Sequence, residues 1–223
     1  MSDPAGAHSG RPLAQVVVAI LAAVLLLAGG VVLGRLMFPP APTTPSTTSA
    51  EAGFARDMQA HHQQAVEMAM IIRENSENEA IRTLAYDIAT SQAQQSGQMY
   101  GWLTMWELPQ ASPEPSMTWM MQPALDGTPS DMVSAATSDA TMLGFARWEQ
   151  IEALKASGTS GANAEEMFLE LMITHHAGGV EMAQALIERS ANEVVTSLAE
   201  RIVRTQQSEM TYMNELLVLV EGQ

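Results

Sequence analysis

The chain has 223 residues, a net charge of −15 and no cysteine, and 47% of its residues are hydrophobic. Without cysteine, the protein can form neither a disulfide nor a thiolate metal site. Apart from Asp3, every acidic residue lies at or after Glu51, where only eight lysines and arginines occur. This acidic balance argues against a nucleic-acid partner, which requires a basic face.

The N-terminal region contains one long apolar stretch. After a short polar tail, residues 1–12, the 22 residues from Leu13 to Gly34 carry no charge. A stretch of this length can cross a bilayer as a single helix. We therefore predict a transmembrane anchor over residues 13–36. A cleaved signal peptide is the alternative, although no small-x-small cleavage motif precedes the prolines that follow.

A linker rich in proline and threonine follows over residues 37–50. Such a composition favours an extended chain that buries little surface. Linkers of this kind are typical of envelope proteins, so we expect the folded domain, residues 51–223, on the extracytoplasmic side of the cell membrane. If the apolar segment is cleaved, the same domain is secreted.

Two histidine pairs recur in the folded domain at an offset of 114 residues. The pattern Met-x-x-His-His, followed by Val-Glu-Met-Ala, contains Met58, His61, His62 and Met68 in one copy, and Met172, His175, His176 and Met182 in the other. Between residues 54–99 and 168–213, 17 of 46 positions are identical. We interpret this as an internal duplication, with a first repeat at about 51–108 and a second at about 163–220.

Each repeat shows the apolar spacing of two helices separated by a short turn. Ser76 to Glu79 and Ser190 to Glu193 match the capping-box pattern, which predicts a helix start at each turn. Because the turns are short, the two helices of each repeat must be antiparallel neighbours. We therefore predict an all-α fold, a four-helix bundle made of two helical hairpins and preceded by one transmembrane helix.

The two repeats are joined by a long connection over residues 109–160. Its first part, about 109–139, is rich in proline, serine and methionine, and a shorter helix is predicted from about Ala140 to Ala156. A loop of that length in a compact domain is usually functional or partly disordered.

The duplicated histidines and methionines are the candidate metal ligands. Histidines on a helix are usually structural, and methionines usually fill a core. Here, however, both pairs recur with methionine three residues before and seven residues after the first histidine. On a helix such positions share a face, so we predict metal binding by His61, His62, His175 and His176 with Met58, Met68, Met172 and Met182.

The donor types favour copper, and Cu(I) especially, because thioethers are soft ligands and imidazole is borderline. A ferritin-like di-iron site would need Glu-x-x-His motifs, whereas methionine stands at those glutamate positions here. Whether the two pairs form one shared site or two sites stays open. Glu67 and Glu181 are either hydrogen-bond partners of the imidazoles or exposed charges.

Other candidates are weaker. Gln92 and Gln206, with Met99 and Met213, lie on the partner helices and would complete a site, although packing suffices to explain the two methionines. The methionines of the long loop are either weak copper ligands or packing residues. They are Met117, Met120, Met121 and Met132.

Both Met-x-x-His-His stretches, with the downstream Leu-Ala-x-x-Ile-x-x-x-Gln, resemble the domain-of-unknown-function family 305 over roughly Glu51 to Leu217. The resemblance implies a ferritin-like helical bundle, exported or membrane-anchored, with copper-binding members and the eight ligand candidates above. Family members carry an acid three residues after the glutamine, and this chain has Gln95 in the first repeat and Glu209 in the second.

From these observations we expect an extracytoplasmic copper-binding protein that acts in copper homeostasis or resistance and is not itself a catalyst. The alternatives are a metal-dependent oxidase of the ferritin-like class and a metal-free interaction module of the envelope. The expected partners are a metal ion and the membrane. A homo-oligomer is possible, and nucleic acid is excluded.

Overall fold

In the computed structural model of the chain, contacts between residues divide it into two compact units, residues 1–44 and 45–223. All regular elements in the described part of the chain are helices, as the all-α prediction requires. The finer division into tail, anchor, linker and bundle domain stays a prediction. The structure describes residues 13–37, 44–130, 142–157 and 162–222.

The first unit contains helix α1, Leu13–Met37. Its segment Gln15–Leu33 is exposed, has a mean hydropathy of 3.1 and is 19 residues long. By length and composition this helix can cross a membrane, and a signal sequence has the same properties. The predicted N-terminal apolar helix is therefore confirmed, and the choice between anchor and signal peptide stays a prediction.

The second unit is built from two helical hairpins. Helices α2 (Ala50–Asn75) and α3 (Glu79–Met105) form the first hairpin. Helices α5 (Ala162–Arg189) and α6 (Glu193–Glu221) form the second. Helix α2 also packs against α5, so the two hairpins share one core. This arrangement confirms the predicted helical bundle.

The turns inside the hairpins differ from the predicted capping boxes. The residues whose side chains cap the second helix of each hairpin are Asn78 and Asn192. The serines have another role, because Ser76 Oγ donates to Glu165 Oε1 and Ser190 Oγ donates to Glu51 Oε1, both at 2.6 Å. Since Glu51 and Glu165 are themselves 114 positions apart, these two bonds join the hairpins in the same way at both ends of the bundle.

Part of the long connection is fixed to the bundle. A 3₁₀ helix, Thr118–Met121, places the Trp119 side chain in the core with 3% exposure. The buried carboxylate of Asp57 accepts bonds from Met117 N at 2.7 Å and Trp119 Nε1 at 2.9 Å. A Cβ atom at Gly53 would overlap the indole ring, so this glycine allows the loop to approach α2.

The short helix α4 spans Trp148–Ala156. The prediction placed its start at about Ala140, which lies outside the described residues. Residues 142–147 are not helical. Their backbone instead follows the surface of the bundle beside the histidines, and Gly144 has a φ of 70° that only glycine adopts readily.

The core of the bundle is divided into two apolar clusters. The first apolar cluster includes Phe54, Met58, Met99, Trp119, Met182, Leu186, Leu198 and Ile202. The second apolar cluster includes Met68, Ile72, Leu84, Ile88, Phe168, Met172, Met213 and Leu216. Each of the four long helices contributes to both clusters, and between the two it passes through a stretch of polar side chains.

We call this stretch the polar layer. Its members are His61 and His62 on α2, Gln92 and Gln95 on α3, His175 and His176 on α5, and Gln206 and Glu209 on α6. The four histidines have 0% exposure and the two inner glutamines 3%. A polar layer buried inside an apolar core is the main departure from ordinary core packing in this bundle.

Candidate metal centre

The four histidines meet where α2 crosses α5. The ring centroids of His61 and His175 lie 3.7 Å apart with an interplanar angle of 33°. Within each pair the rings are separated by 6.5 Å for His61 and His62 and by 6.4 Å for His175 and His176. The structure therefore brings the two pairs together, with the first histidine of each pair in direct contact.

Three imidazoles have a defined partner on one ring nitrogen. His61 Nε2 donates to the carbonyl oxygen of Leu143 at 3.0 Å. The second histidine of each pair is hydrogen-bonded to the other helix of its own hairpin, α3 for His62 and α6 for His176. His62 Nε2 lies 2.7 Å from Gln95 Oε1, and His176 Nε2 lies 2.7 Å from Glu209 Oε2.

These partners determine which nitrogen is free. A carbonyl and a carboxylate only accept, so the Nε2 atoms of His61 and His176 carry the hydrogen. The Nδ1 atoms of all four histidines are buried without a hydrogen-bond partner. A metal-ligating histidine typically donates its other ring N–H to an acceptor in this way, leaving the free nitrogen for the ion.

Burial favours the neutral form of three of the four histidines. It lowers the pKa of His61 to about 4, and the imidazole of His176 adds to the shift. Burial and the neighbouring His61 ring lower the pKa of His62 to about 3. The pKa of His175 is lowered well below its ordinary value, first by burial and then by the His61 ring. Neutral imidazole is the form that binds metal ions.

The predicted methionine ligands lie on both sides of the polar layer. Met58 and Met182 belong to the first apolar cluster and Met68 and Met172 to the second, and all four have 0% exposure. Each cluster thus pairs one methionine of the first repeat with one of the second. On their own helices, these thioethers lie within two turns of the histidines.

The inner glutamines complete the layer. Gln92 and Gln206 are 3% exposed, and neither the amide nitrogen nor the oxygen of either side chain has a hydrogen-bond partner. In the described part of the chain, all buried side-chain nitrogens and oxygens without a partner lie in the stretch between the two apolar clusters. Buried polar groups left unpaired are costly, and such a concentration of them points to a ligand.

Residues 142–147 cover the His61–His175 contact. The Phe145 ring lies 6.2 Å from the His61 ring and 6.3 Å from the His175 ring. Next to it, Gln64 binds the backbone of Ala146 twice, donating to its oxygen at 2.9 Å and accepting from its nitrogen at 2.7 Å. The segment is thus tied to α2 and closes the layer on one side.

The same segment approaches α5 through glycines. A Cβ atom on Gly144 would lie 2.5 Å from Thr174 O, and one on Gly178 would overlap the Leu143 carbonyl. Gly178 is the counterpart of Gln64 at the offset of 114 residues. The absence of both side chains allows the segment to lie directly on the backbone of α5.

Several sequence candidates lie outside the layer. Glu67 forms an ion pair with Lys155 at 2.9 Å, and Glu181 is exposed, so the reading of both as exposed charges is correct. Among the loop methionines, Met117 and Met120 are buried in the first apolar cluster. Met121 is 42% exposed, and Met132 lies outside the described residues.

The available donor set fits a soft ion. The carboxylates Glu67 and Glu181 lie outside the layer, so the donors near its histidines are imidazoles, thioethers and amides, with Glu209 bound to His176. The layer supplies neutral imidazole nitrogens, with thioethers adjacent on both sides. Imidazole and thioether donors together suit soft metal ions.

Two parts of the centre could not be predicted from motifs in the sequence. Leu143 and Phe145 act through a backbone carbonyl and one aromatic ring, and neither feature forms a motif. Gln95 departs from the family pattern and Glu209 keeps it, and the structure adds that both side chains contact histidines. The signal was available, since each lies 33 positions after the second histidine of its own repeat.

Comparison with known proteins places the bundle in a family. The family model described as domain of unknown function DUF305 matches residues 51–217, and no curated protein matches the chain. A DUF305 protein of Streptomyces coelicolor, named as a presumed secreted protein, is 41% identical with a TM-score of 0.68, over 79% of this chain and 95% of that one.

Two further solved structures are similar. A DUF305 fragment from Deinococcus radiodurans is 32% identical with a TM-score of 0.59, over 79% of this chain and 98% of that one. CopM in its Cu(I)-bound form is 22% identical with a TM-score of 0.53, over 75% of this chain and 94% of that one, a likeness of fold. With a family model matching most of its length, the chain belongs to the DUF305 family.

Proposed function

We propose that this protein binds copper, as Cu(I), in the polar layer between its two apolar clusters. The observation that carries the proposal is the set of four buried Nδ1 atoms without hydrogen-bond partners. In three of these histidines the other ring nitrogen, Nε2, is hydrogen-bonded to an oxygen atom, of Leu143, Gln95 or Glu209. The ligand candidates are His61, His62, His175 and His176, with Met58, Met68, Met172 and Met182.

The choice of copper follows from the donors. Thioether and neutral imidazole together, without thiolate, favour Cu(I) over zinc. CopM, which shares the fold, has been solved in a Cu(I)-bound form. Because that likeness concerns the fold alone, support for copper in this chain comes from its own side chains.

We further propose that the bundle works outside the cytoplasm, in copper homeostasis or resistance. The apolar helix α1 would hold it at the membrane or direct its export. The ion is cargo in this proposal. Residues 142–147 close the polar layer on one side. This closure favours retention of an ion over turnover of a substrate.

The test is a metal titration of the full-length chain in detergent. Cu(I) under reducing, anaerobic conditions is compared with Cu(II) and Zn(II), for the wild type and a variant with all four histidines changed to Ala. We expect tight Cu(I) binding that the variant loses, and a rise in the wild-type unfolding midpoint on loading. A ligand at 100 times its Kd stabilises the folded state by about 2.7 kcal/mol.

A structural role for the histidines predicts a different result. The unfolding midpoint of the metal-free variant would fall, and added copper would shift neither protein. Absence of binding at sub-millimolar concentrations of all three ions would refute the copper proposal.

A further inference from the structure

The polar layer contains a single formal charge. Between the two apolar clusters, α2 and α3 carry no Asp, Glu, Lys or Arg, and the one such residue on α5, Glu181, is exposed. On α6 the same stretch contains Arg204 and Glu209. The Arg204 side chain is 66% exposed and lies 3.8 Å from Glu200, whereas the Glu209 side chain is 17% exposed and binds His176. Among the described residues, Glu209 is therefore the one ionised group that faces the layer.

The first repeat has the same geometry without the charge. Gln95 occupies the position 114 residues before Glu209 and holds His62 at 2.7 Å, the distance at which Glu209 holds His176. Residues 142–147 add no charge near the imidazole rings, because Arg147, the only charged residue among them, is exposed. At the second histidine of each pair, the two halves of the layer therefore differ by one carboxylate, while the hydrogen bonds of His62 and His176 are alike.

This difference matters for an ion bound inside the core. Burying a charge is costly unless an opposite charge lies nearby. Imidazole, thioether and amide ligands are neutral, so they cannot balance the charge of the ion. One carboxylate compensates one positive charge, which leaves a monovalent complex neutral and a divalent complex with one uncompensated charge.

We propose that Glu209, acting through His176, and the neutral Gln95 at the matching position together limit the layer to one negative charge, which neutralises a monovalent soft cation and leaves a divalent one with a charge uncompensated. The inference rests on the proposed function and adds a determinant of ion charge to it. Glu209 is a positioning residue, since it touches the imidazole and not the ion. The neutral Gln95 is the second determinant, because a carboxylate there would bring the layer to two negative charges and favour Cu(II).

The internal repeat supplies matched variants. Glu209→Gln gives both halves an amide, Gln95→Glu gives both a carboxylate, and the double variant Q95E/E209Q exchanges the two while preserving the net charge. For each full-length protein in detergent, the Kd for Cu(I) and the Kd for Cu(II) are measured by competition with chelators at pH 7. Comparing the Kd ratio between variants removes the contribution of ligand softness, which is the same in all of them.

We expect Gln95→Glu to shift the ratio toward Cu(II) by about tenfold or more, the size typical of changes to groups that hold a metal ligand. Glu209→Gln weakens the binding of both ions, and that of Cu(II) more. The double variant restores the wild-type ratio. Ag(I), a monovalent ion that is not reduced or oxidised in the assay, follows Cu(I) across the series.

A ratio that stays constant in both single variants while copper still binds overturns the inference and leaves the proposed function intact. A double variant that behaves like Glu209→Gln also overturns it, because the position of the side chain and not its charge then matters. Absence of copper binding in the wild type refutes the proposed function itself. Far-UV circular dichroism of each metal-free variant verifies folding, and either single variant suffices if the other does not fold.

Discussion

The two repeats carry the same four donors, but different groups hold these donors in place. In the first repeat, His61 donates to a backbone carbonyl and His62 bonds to an amide. In the second, His176 donates to a carboxylate. The donors are thus identical in the two repeats. The repeats differ in the residues that set the charge of the layer and in those that contact residues 142–147.

The cover shows the same contrast at one pair of positions. Gln64 reaches residues 142–147 with its side chain, and its counterpart Gly178 meets them with none. Residues 142–147 are therefore fixed to the first repeat by side-chain hydrogen bonds and to the second by close backbone contact. Substitutions in the layer, at its cover and in the hairpin turns therefore test whether the two repeats differ.

The largest effect we expect is on the pH dependence of stability. His61, His62 and His175 have lowered pKa values in the folded protein, so the unfolded chain binds more protons below its pKa of about 6.5. The contribution of these histidines to the free energy of unfolding is fully present above about pH 6.5. It is lost as the pH falls toward the folded pKa values, which are about 4 for His61 and about 3 for His62. Each neutral histidine adds a slope of about 1.4 kcal/mol per pH unit.

Urea unfolding of the metal-free protein between pH 7.5 and 5 measures this slope. The variant with four alanines serves as the control, and its curve is expected to be much flatter. An equally steep curve for that variant would assign the pH dependence to groups outside the layer.

Loss of the Gln64 side chain is the next largest effect. Gln64→Ala leaves the nitrogen and oxygen of Ala146 without their bonds, and an unsatisfied buried polar group costs about 1–3 kcal/mol. We expect a fall of about 2–4 kcal/mol in the free energy of unfolding, measured by chemical denaturation. The neighbouring Gln63 is exposed, and Gln63→Ala is expected to change stability by less than about 0.5 kcal/mol.

On the opposite side of the segment, Gly178→Ala introduces a methyl group where the Leu143 carbonyl lies. The backbone of residues 142–147 must shift, with a loss of about 1–3 kcal/mol that the higher helix propensity of alanine partly offsets. Gly97→Ala is the control, because a Cβ atom there meets nothing within 4 Å, and it is expected to stabilise the protein. If both variants stabilise it, the segment does not depend on Gly178.

The helices and the donors were predictable from the sequence for physical reasons. An apolar residue every three or four positions defines a helix face, and the two short turns allow only antiparallel neighbours. The repeated Met-x-x-His-His pattern then predicts where the donors lie. Both inferences use short-range spacing, which the sequence shows directly.

What could not be predicted depends on contacts between distant residues. Leu143 meets His61 through a carbonyl group 82 positions away, and nothing in the side chain of leucine indicates this. The capping prediction for the serines was wrong because it also depends on contacts between distant residues. Ser76 fits the cap motif, but Glu165, 89 positions away, binds its hydroxyl group, and Asn78 caps the helix instead.

Those serines give the smallest effect, in the part of the bundle where the two repeats are alike. Ser76→Ala and Ser190→Ala each remove a hydrogen bond to a carboxylate and one from a backbone N–H, and we expect losses of about 1–2 kcal/mol in chemical denaturation. Glu165 is 7% exposed and Glu51 is less buried, so the Ser76 variant should lose more. Ser208 on the exposed face of α6 is the control, with a change within about 0.5 kcal/mol for Ser208→Ala. If only one serine variant is destabilised, the two ends of the bundle are not equivalent, and the contrast between the repeats extends beyond the polar layer.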